Sequence, residues 1–279
     1  MRAAIIGVCC AAILTACVST QAGNLAQRPM PNIAPAAEMP AAPWCDSVLG
    51  SQPRALPVAD LYARVKAGVK AKDEFEASQA FERRSNESLA AIVKAMTPTN
   101  GTEHAVLIVP FPSAPYNADK LEFTLRASAQ DALLTHEAFV GTDYKTYPYL
   151  FVPISLTSRA GGSYVGSNAF GVTRQVQVTN AMQYGVALAD QTRLRGWGRE
   201  KKQMTLWASP VRAASLKGKL GIMLVGNLVA PGALEGRRSY EATIDNPYED
   251  RVQKRYVVMT APCAGVVNVE TRELLQTIR

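Results

Sequence analysis

Apolar and polar positions alternate along this chain with two different periods. Val58, Leu61, Tyr62, Val65 and Val69 recur at helical spacing behind Pro57, which is at home in a first helical turn. Phe75, Phe81, Leu89, Ile92, Val93 and Met96 form a second helical stripe ending before Pro98, with Asp73 placed to cap it. The other face of that helix carries Glu74, Glu76, Glu82, Arg83, Arg84 and Glu87, a balance suited to solvent. After the turn dipeptide Asn100-Gly101 the period shortens to that of strands. Leu121, Phe123 and Leu125 alternate with Glu122, Thr124 and Arg126, as in a half-buried strand. Further strands are expected over 104–111, 149–156, 171–179, 184–188, 203–211, 220–229 and 255–260. Residues 266–269 and 274–278 should close the chain as a hairpin around Thr271. Many short strands with polar turns predict an α+β fold, an N-terminal helical pair (about 56–97) followed by a mainly antiparallel β body (about 103–279). Gly161-Gly162 reads as a tight hairpin, and Asn168 with Gly171 as a second turn or bulge.

The N-terminus has a pattern of its own. Arg2 precedes an almost wholly apolar run from Ala3 to Leu14. A membrane-spanning helix needs roughly 20 apolar residues, so this run is too short to span and fits a cleavable export signal. It ends in Leu14-Thr15-Ala16-Cys17, which resembles the lipobox of bacterial lipoproteins. The resemblance implies that residues 1–16 are a signal peptide removed before Cys17. It also implies that the Cys17 thiol carries diacylglycerol and the new amine a further acyl chain of the palmitate class. Val18 after the cysteine implies, by the same analogy, an outer-membrane anchor facing the periplasm. A looser resemblance joins Phe75-Glu76 and Arg83 with the run Tyr164-Val165-Gly166-Ser167-Asn168-Ala169-Phe170-Gly171 to uncharacterised bacterial envelope proteins. It implies a recurring exported module and no activity.

Export changes how the cysteines read. Cys9 and Cys10 leave with the signal and Cys17 is consumed by lipid, so Cys45 and Cys263 remain. An even pair in an exported chain reads as a disulfide, the alternative being two separate buried thiols. Such a bridge would tie the start of the body to its end. Between Cys17 and Pro43 the chain is rich in Ala and Pro, with Pro29, Pro31, Pro35, Pro40 and Pro43 opposing regular structure. That segment is a semi-extended spacer, which at roughly 3 Å per residue reaches tens of ångströms. Residues 44–279 form the globular part, ordinary in composition at 48% hydrophobic and 19% charged residues.

The chain is basic, with a net charge of +7. Arg193, Arg195, Arg199, Lys201 and Lys202 flank Trp197 and make the densest basic cluster. Arg212, Lys217, Lys219, Arg237, Arg238, Arg251, Lys254 and Arg255 follow. A positive field attracts anionic headgroups, lipopolysaccharide or carboxylate-bearing wall polymer. Nucleic acid is not expected outside the cytoplasm. The alternative is a solvated basic loop.

Catalytic patterns are scarce. His104 and His136 stand apart in the sequence, and His136-Glu137 would point to opposite faces of a strand. No His-Glu-x-x-His or Cys-x-x-Cys motif occurs, and Glu241, Asp245, Glu249 and Asp250 lack calcium-loop spacing, so neither metal nor cofactor is expected. Gly161 to Gly166 lacks a P-loop lysine, and Ser163 lacks the second glycine of Gly-x-Ser-x-Gly. Three functions are compatible with these residues. The first is an envelope lipoprotein, not an enzyme, whose body binds a protein or an anionic envelope polymer through Arg193, Arg195, Trp197, Arg199, Lys201 and Lys202. The second is a structural subunit of a multi-protein envelope complex, joined through edge strands. The third is a hydrolase with an unrecognised site.

Overall fold

A computed structural model describes residues 44–97, 103–126, 149–190 and 204–278. Helices α1 (Cys45–Gly50), α2 (Val58–Gly68) and α3 (Ser78–Met96) come first. Strands β1 (Ala105–Pro110), β2 (Tyr116–Asn117) and β3 (Glu122–Leu125) follow. Next are β4 (Leu150–Ser167), β5 (Thr173–Leu188), β6 (Met204–Trp207) and helix α4 (Pro210–Leu216). Strands β7 (Leu220–Tyr240), β8 (Tyr248–Asn268) and β9 (Leu274–Ile278) end the chain. The α+β reading holds, with helices ahead of a mainly antiparallel body.

The two expected helices form where the helical period places them. Leu61 and Val65 of α2 and Leu89 and Val93 of α3 are buried. The start of the second differs from expectation. The Asp73 carboxylate accepts from the Phe75 amide in a turn, and α3 begins five residues later without a side-chain cap. Phe75 therefore lies outside the helix and is 89% exposed. Helix α4 replaces the end of the strand expected over 203–211. Its signals are local: the Ser209 hydroxyl accepts from the Arg212 amide, Pro210 opens the helix, and Gly218 follows with φ +74°.

The larger sheet has the order β1-β7-β8-β5-β4, with β9 also on β8, and a smaller one runs β2-β3-β6. All pairings are antiparallel except β5 with β8. The strands are longer and fewer than the sequence pattern implied, since four of them run 16 to 21 residues. Their inner halves carry the core. On one face α2, α3, α4 and the small sheet cover Leu107, Ile222, Leu224, Val257, Met259 and Val266. On the other, α1 packs Cys45 and Leu49 against Val106, Met223, Val225 and Cys263. The hydrophobic run of 220–230 is a buried strand, as its composition required. The final hairpin also forms as expected, with Val266 opposite Gln276.

One irregularity sets the aim of a critical residue. Val225 pairs with Cys263 and Asn227 with Thr260, so Ala261 and Pro262 of β8 oppose Gly226 alone. This two-against-one bulge reverses which face each later β8 residue meets. Val257 and Met259 face α2 and α3, but beyond the bulge Cys263 faces α1. There it is bonded to Cys45 across a separation of 218 residues, with Cα atoms 5.4 Å apart. The expected disulfide is present, and both of its cysteines are buried.

A second irregularity marks where the sheet leaves the core. Between Leu228 and Ala233 β7 loops out through a cis Ala230–Pro231 bond and Gly232 at φ +82°. The Asn86 side-chain Oδ1, projecting from α3, accepts from the Ala230 amide at 3.0 Å and holds this loop. Beyond it the distal halves of β4, β5, β7 and β8 continue as a four-stranded blade. Gly161-Gly162 does not turn the chain there. It sits in a β4 bulge, with Gly162 at φ +95°, and β4 carries on to Ser167. The turn comes at Asn168, whose side-chain Oδ1 accepts from the Phe170 and Val172 amides, and Gly171 supplies φ +77°.

Within α3 the Ser85 hydroxyl is fully buried and has no hydrogen-bond partner. A desolvated hydroxyl left unpaired is a net cost, and Ala is the better helix former. Ser85→Ala should therefore stabilise the body by about 1 kcal/mol, contrary to the usual sign of a core truncation. A denaturant-unfolding midpoint above that of the parent checks this.

Candidate binding groove on the blade

Strand register arranges the blade residues in rows. Nearest the core, Ser155, Tyr184, Arg255 and Glu235 lie side by side across β4, β5, β8 and β7. Two residues further out the row is Thr157, Met182, Gln253 and Arg237, and beyond it Arg159, Asn180, Arg251 and Ser239. Because strand side chains alternate, these rows share the face on which α2 and α3 sit. The intervening row, Ser158, Ala181, Val252 and Arg238, belongs to the opposite face.

Three residues of the row at the foot, Tyr184, Arg255 and Glu235, are engaged with one another or with α2. The Tyr62 hydroxyl of α2 donates to Glu235, and Lys66 lies 3.4 Å from the other carboxylate oxygen. Arg255 donates to the Tyr184 hydroxyl at 3.2 Å and stands over both the Tyr62 and Tyr184 rings. The bond from Tyr62 holds the Glu235 carboxyl below the usual carboxylate range. Burial, followed by that same bond, pushes the Tyr62 hydroxyl well above the ordinary tyrosine value. This cluster fastens α2 to the blade and leaves Arg255 little freedom to bind anything else.

Further out the balance changes. Arg251 is paired to Glu249 at 2.6 Å, and Tyr164 donates to the same carboxylate at 2.9 Å. Arg251, followed by Tyr164, draws the Glu249 carboxyl below its normal range. Arg159 and Arg237 make no ion pair or hydrogen bond among the described residues. Together with Arg251 they line a groove of about 960 Å³, with Thr157, Asn180 and Gln253 between them. Cross-strand diagonal neighbours stand about 7–8 Å apart, so Arg237 and Arg251 are within reach of one anionic group. Guanidinium groups do not lose their charge in proteins and bind carboxylate or phosphate in a two-pronged fashion. The groove thus offers permanent positive charge flanked by amide and hydroxyl groups, without an evident nucleophile–base pair.

The residues singled out in the sequence meet different fates. Arg193, Arg195, Trp197, Arg199, Lys201 and Lys202 lie outside the described residues, as do Cys17, His136 and Glu137. His104 stacks on Trp44, with ring centres 4.1 Å apart, and hydrogen-bonds Asn227, a structural setting. The Ser163 hydroxyl accepts from the Gln175 amide across the β4–β5 hairpin. In the sequence Arg237 and Arg251 are two among many scattered basic residues, and Arg159 stands apart from them. Only the pairing of strands far apart in sequence brings the three together.

No family model, curated protein or solved structure matches this chain. The functional reading therefore rests on its own residues. Among the described residues no helix is long and apolar enough to cross a membrane.

Proposed function

We propose that the protein is an envelope lipoprotein, held to the outer membrane by lipid on Cys17, whose body binds an anionic envelope polymer without catalysing a reaction. The observation that carries the binding role is the groove with Arg159 and Arg237 unpaired and Arg251 beside them. The leader sequence and the proline-rich spacer supply the reason for placing that role in the envelope. A carboxylated or phosphorylated polymer matches the charge, and the polar rims suit a sugar backbone.

Arg159→Glu combined with Arg237→Glu should weaken binding of isolated cell-wall polymer by about 100-fold or more, since a hydrogen bond to a charged partner is worth roughly 1.5–3 kcal/mol. Both positions are exposed, so the fold should be retained. Isothermal titration with polymer at two salt concentrations measures the change. Unaltered affinity and an unaltered salt dependence would remove the groove from consideration. The anchor has a separate test. Cys17→Ser should accumulate a larger, unlipidated precursor, and processing that continues normally would end the lipoprotein reading.

A second reading, a structural subunit of an envelope complex, draws on the outer edge of β4, which pairs with β5 alone among the described residues.

A further inference from the structure

A second cavity, of about 310 Å³, opens near the tip of the blade. Tyr164, Arg174 and Val176 of the β4–β5 hairpin line one side of it, and Thr243 and Ile244 between β7 and β8 line the other. Register puts it on the groove face. Arg159 lies opposite Asn180, and further out Tyr164 lies opposite Val176 and Gly166 opposite Arg174. Two glycines keep that face clear. A methyl group at Gly161 would stand 2.9 Å from Val178 Cγ1, and one at Gly166 would stand 3.2 Å from Val176 Cγ2. Both valines are buried and lie between Asn180 and the tip along β5. The wall between groove and cavity is the chain Arg251–Glu249–Tyr164. Arg251 lines the groove, Tyr164 lines the cavity, and the Glu249 carboxylate accepts from both. The far wall is a built turn, in which the Thr243 amide donates to the Asn246 carbonyl and the Asn246 amide to the Thr243 hydroxyl.

The lining combines three chemistries. Arg174 makes no ion pair or hydrogen bond among the described residues, and its guanidinium stays charged. Val176, Ile244 and the Tyr164 ring, 45% exposed, form an apolar side. Ser167, Asn168 and Thr243 add hydroxyl and amide groups. A sugar ring has the matching make-up, apolar C–H faces edged by hydroxyls, and an acidic sugar adds the anion that Arg174 can hold in its fork. We propose that this cavity is a second subsite for the polymer, seating an acidic sugar residue on the Tyr164 ring with its carboxylate on Arg174. The assignment rests on the groove as the primary site. Asn180, the β5 neighbour of Arg251, and Arg174 are six residues apart on one strand, roughly 20 Å. The polymer therefore runs along the strands, and a fragment must span about 20 Å to occupy both sites.

The test is calorimetric titration of the full chain in detergent with oligogalacturonates of increasing length. Short fragments should bind the groove. Affinity should rise about tenfold once a fragment reaches roughly 20 Å, because the second contact then forms within one complex. Arg174→Ala should remove that rise, a loss of about tenfold, as expected of one hydrogen bond to a charged group. Tyr164→Ala should remove it too, whereas Tyr164→Phe, which keeps the ring, should retain it. Thermal melts confirm that each variant is folded. A rise that survives Arg174→Ala, or that Tyr164→Phe abolishes as fully as Tyr164→Ala, overturns the subsite. Polyphosphate of matched charge should be indifferent to Tyr164→Ala; the same loss there overturns the sugar assignment. A flat length series that still depends on Arg159 and Arg237 removes the subsite and leaves the groove standing. No binding at any length removes both.

Discussion

Gly226→Ala should abolish the cooperative fold or lower its stability by about 4 kcal/mol or more, beyond the 1–3 kcal/mol typical of an overpacked core. A methyl group on Gly226 would stand 1.8 Å from the Thr260 carbonyl oxygen, 2.8 Å from its carbon and 3.0 Å from the Ala261 Cα. All three are backbone atoms of β8, so no side chain can swing aside. The clash falls on the bulge that reverses the faces of β8 and aims Cys263 at Cys45. Relief by shifting that bulge would disturb the disulfide and both layers of the core together. A domain has only about 5–15 kcal/mol of stability to lose. Gly50→Ala is the matched control: its methyl meets nothing within 4 Å at the end of α1, and it should leave the melting curve almost unchanged. Soluble yield and calorimetry of the two variants distinguish a local clash from a general intolerance of glycine replacement.

Loss of the Cys45–Cys263 bridge should have an effect of similar size. Closing 218 residues removes chain entropy from the unfolded state worth about 5 kcal/mol by the loop model. For a domain of this size each kilocalorie shifts the melting point by roughly 2–4 °C, so Cys45→Ala with Cys263→Ala should melt about 10–20 °C lower. Part of the loss is specific to α1. That six-residue helix is too short to persist on its own and is held by the bridge and by Leu49. Limited proteolysis should cut the reduced protein first between Trp44 and Leu56. A double variant that melts within 3 °C of the parent would mean that noncovalent packing of α1 suffices.

The sequence shows its local order more readily than its long-range order. α2 and α3 are readable because their apolar residues fall on one helical face, and the hairpin around Thr271 because its strands are adjacent in the chain. Asp73 and Phe75 mislead, since a turn resolves the backbone before the helix begins. α4 is short, and Val211, its most apolar exposed residue, resembles the end of a strand. The length of β4 and β5 is hidden for a different reason. Over 155–165 β4 is exposed on both faces, so no alternation of polar and apolar residues betrays a strand. Its paired glycines then look like an end rather than a bulge. The groove is hidden most completely, because Arg159, Arg237 and Arg251 are gathered from three strands by register alone. The disulfide was legible through counting, whereas the bulge that makes it possible was not.

β8 runs as one strand from Tyr248 in the blade to Asn268 in the core, and the bridge joins its inner end to Cys45. Cys45 also opens α1, the first element of the described chain. A pull applied at Trp44 therefore passes through a sulfur–sulfur bond into the central strand, leaving the rest of α1 outside its path. A load applied at the blade tip returns by the same strand. In mechanical terms Cys45 is a clamp: tension applied at the start of the body would load β8 before it unravelled α1.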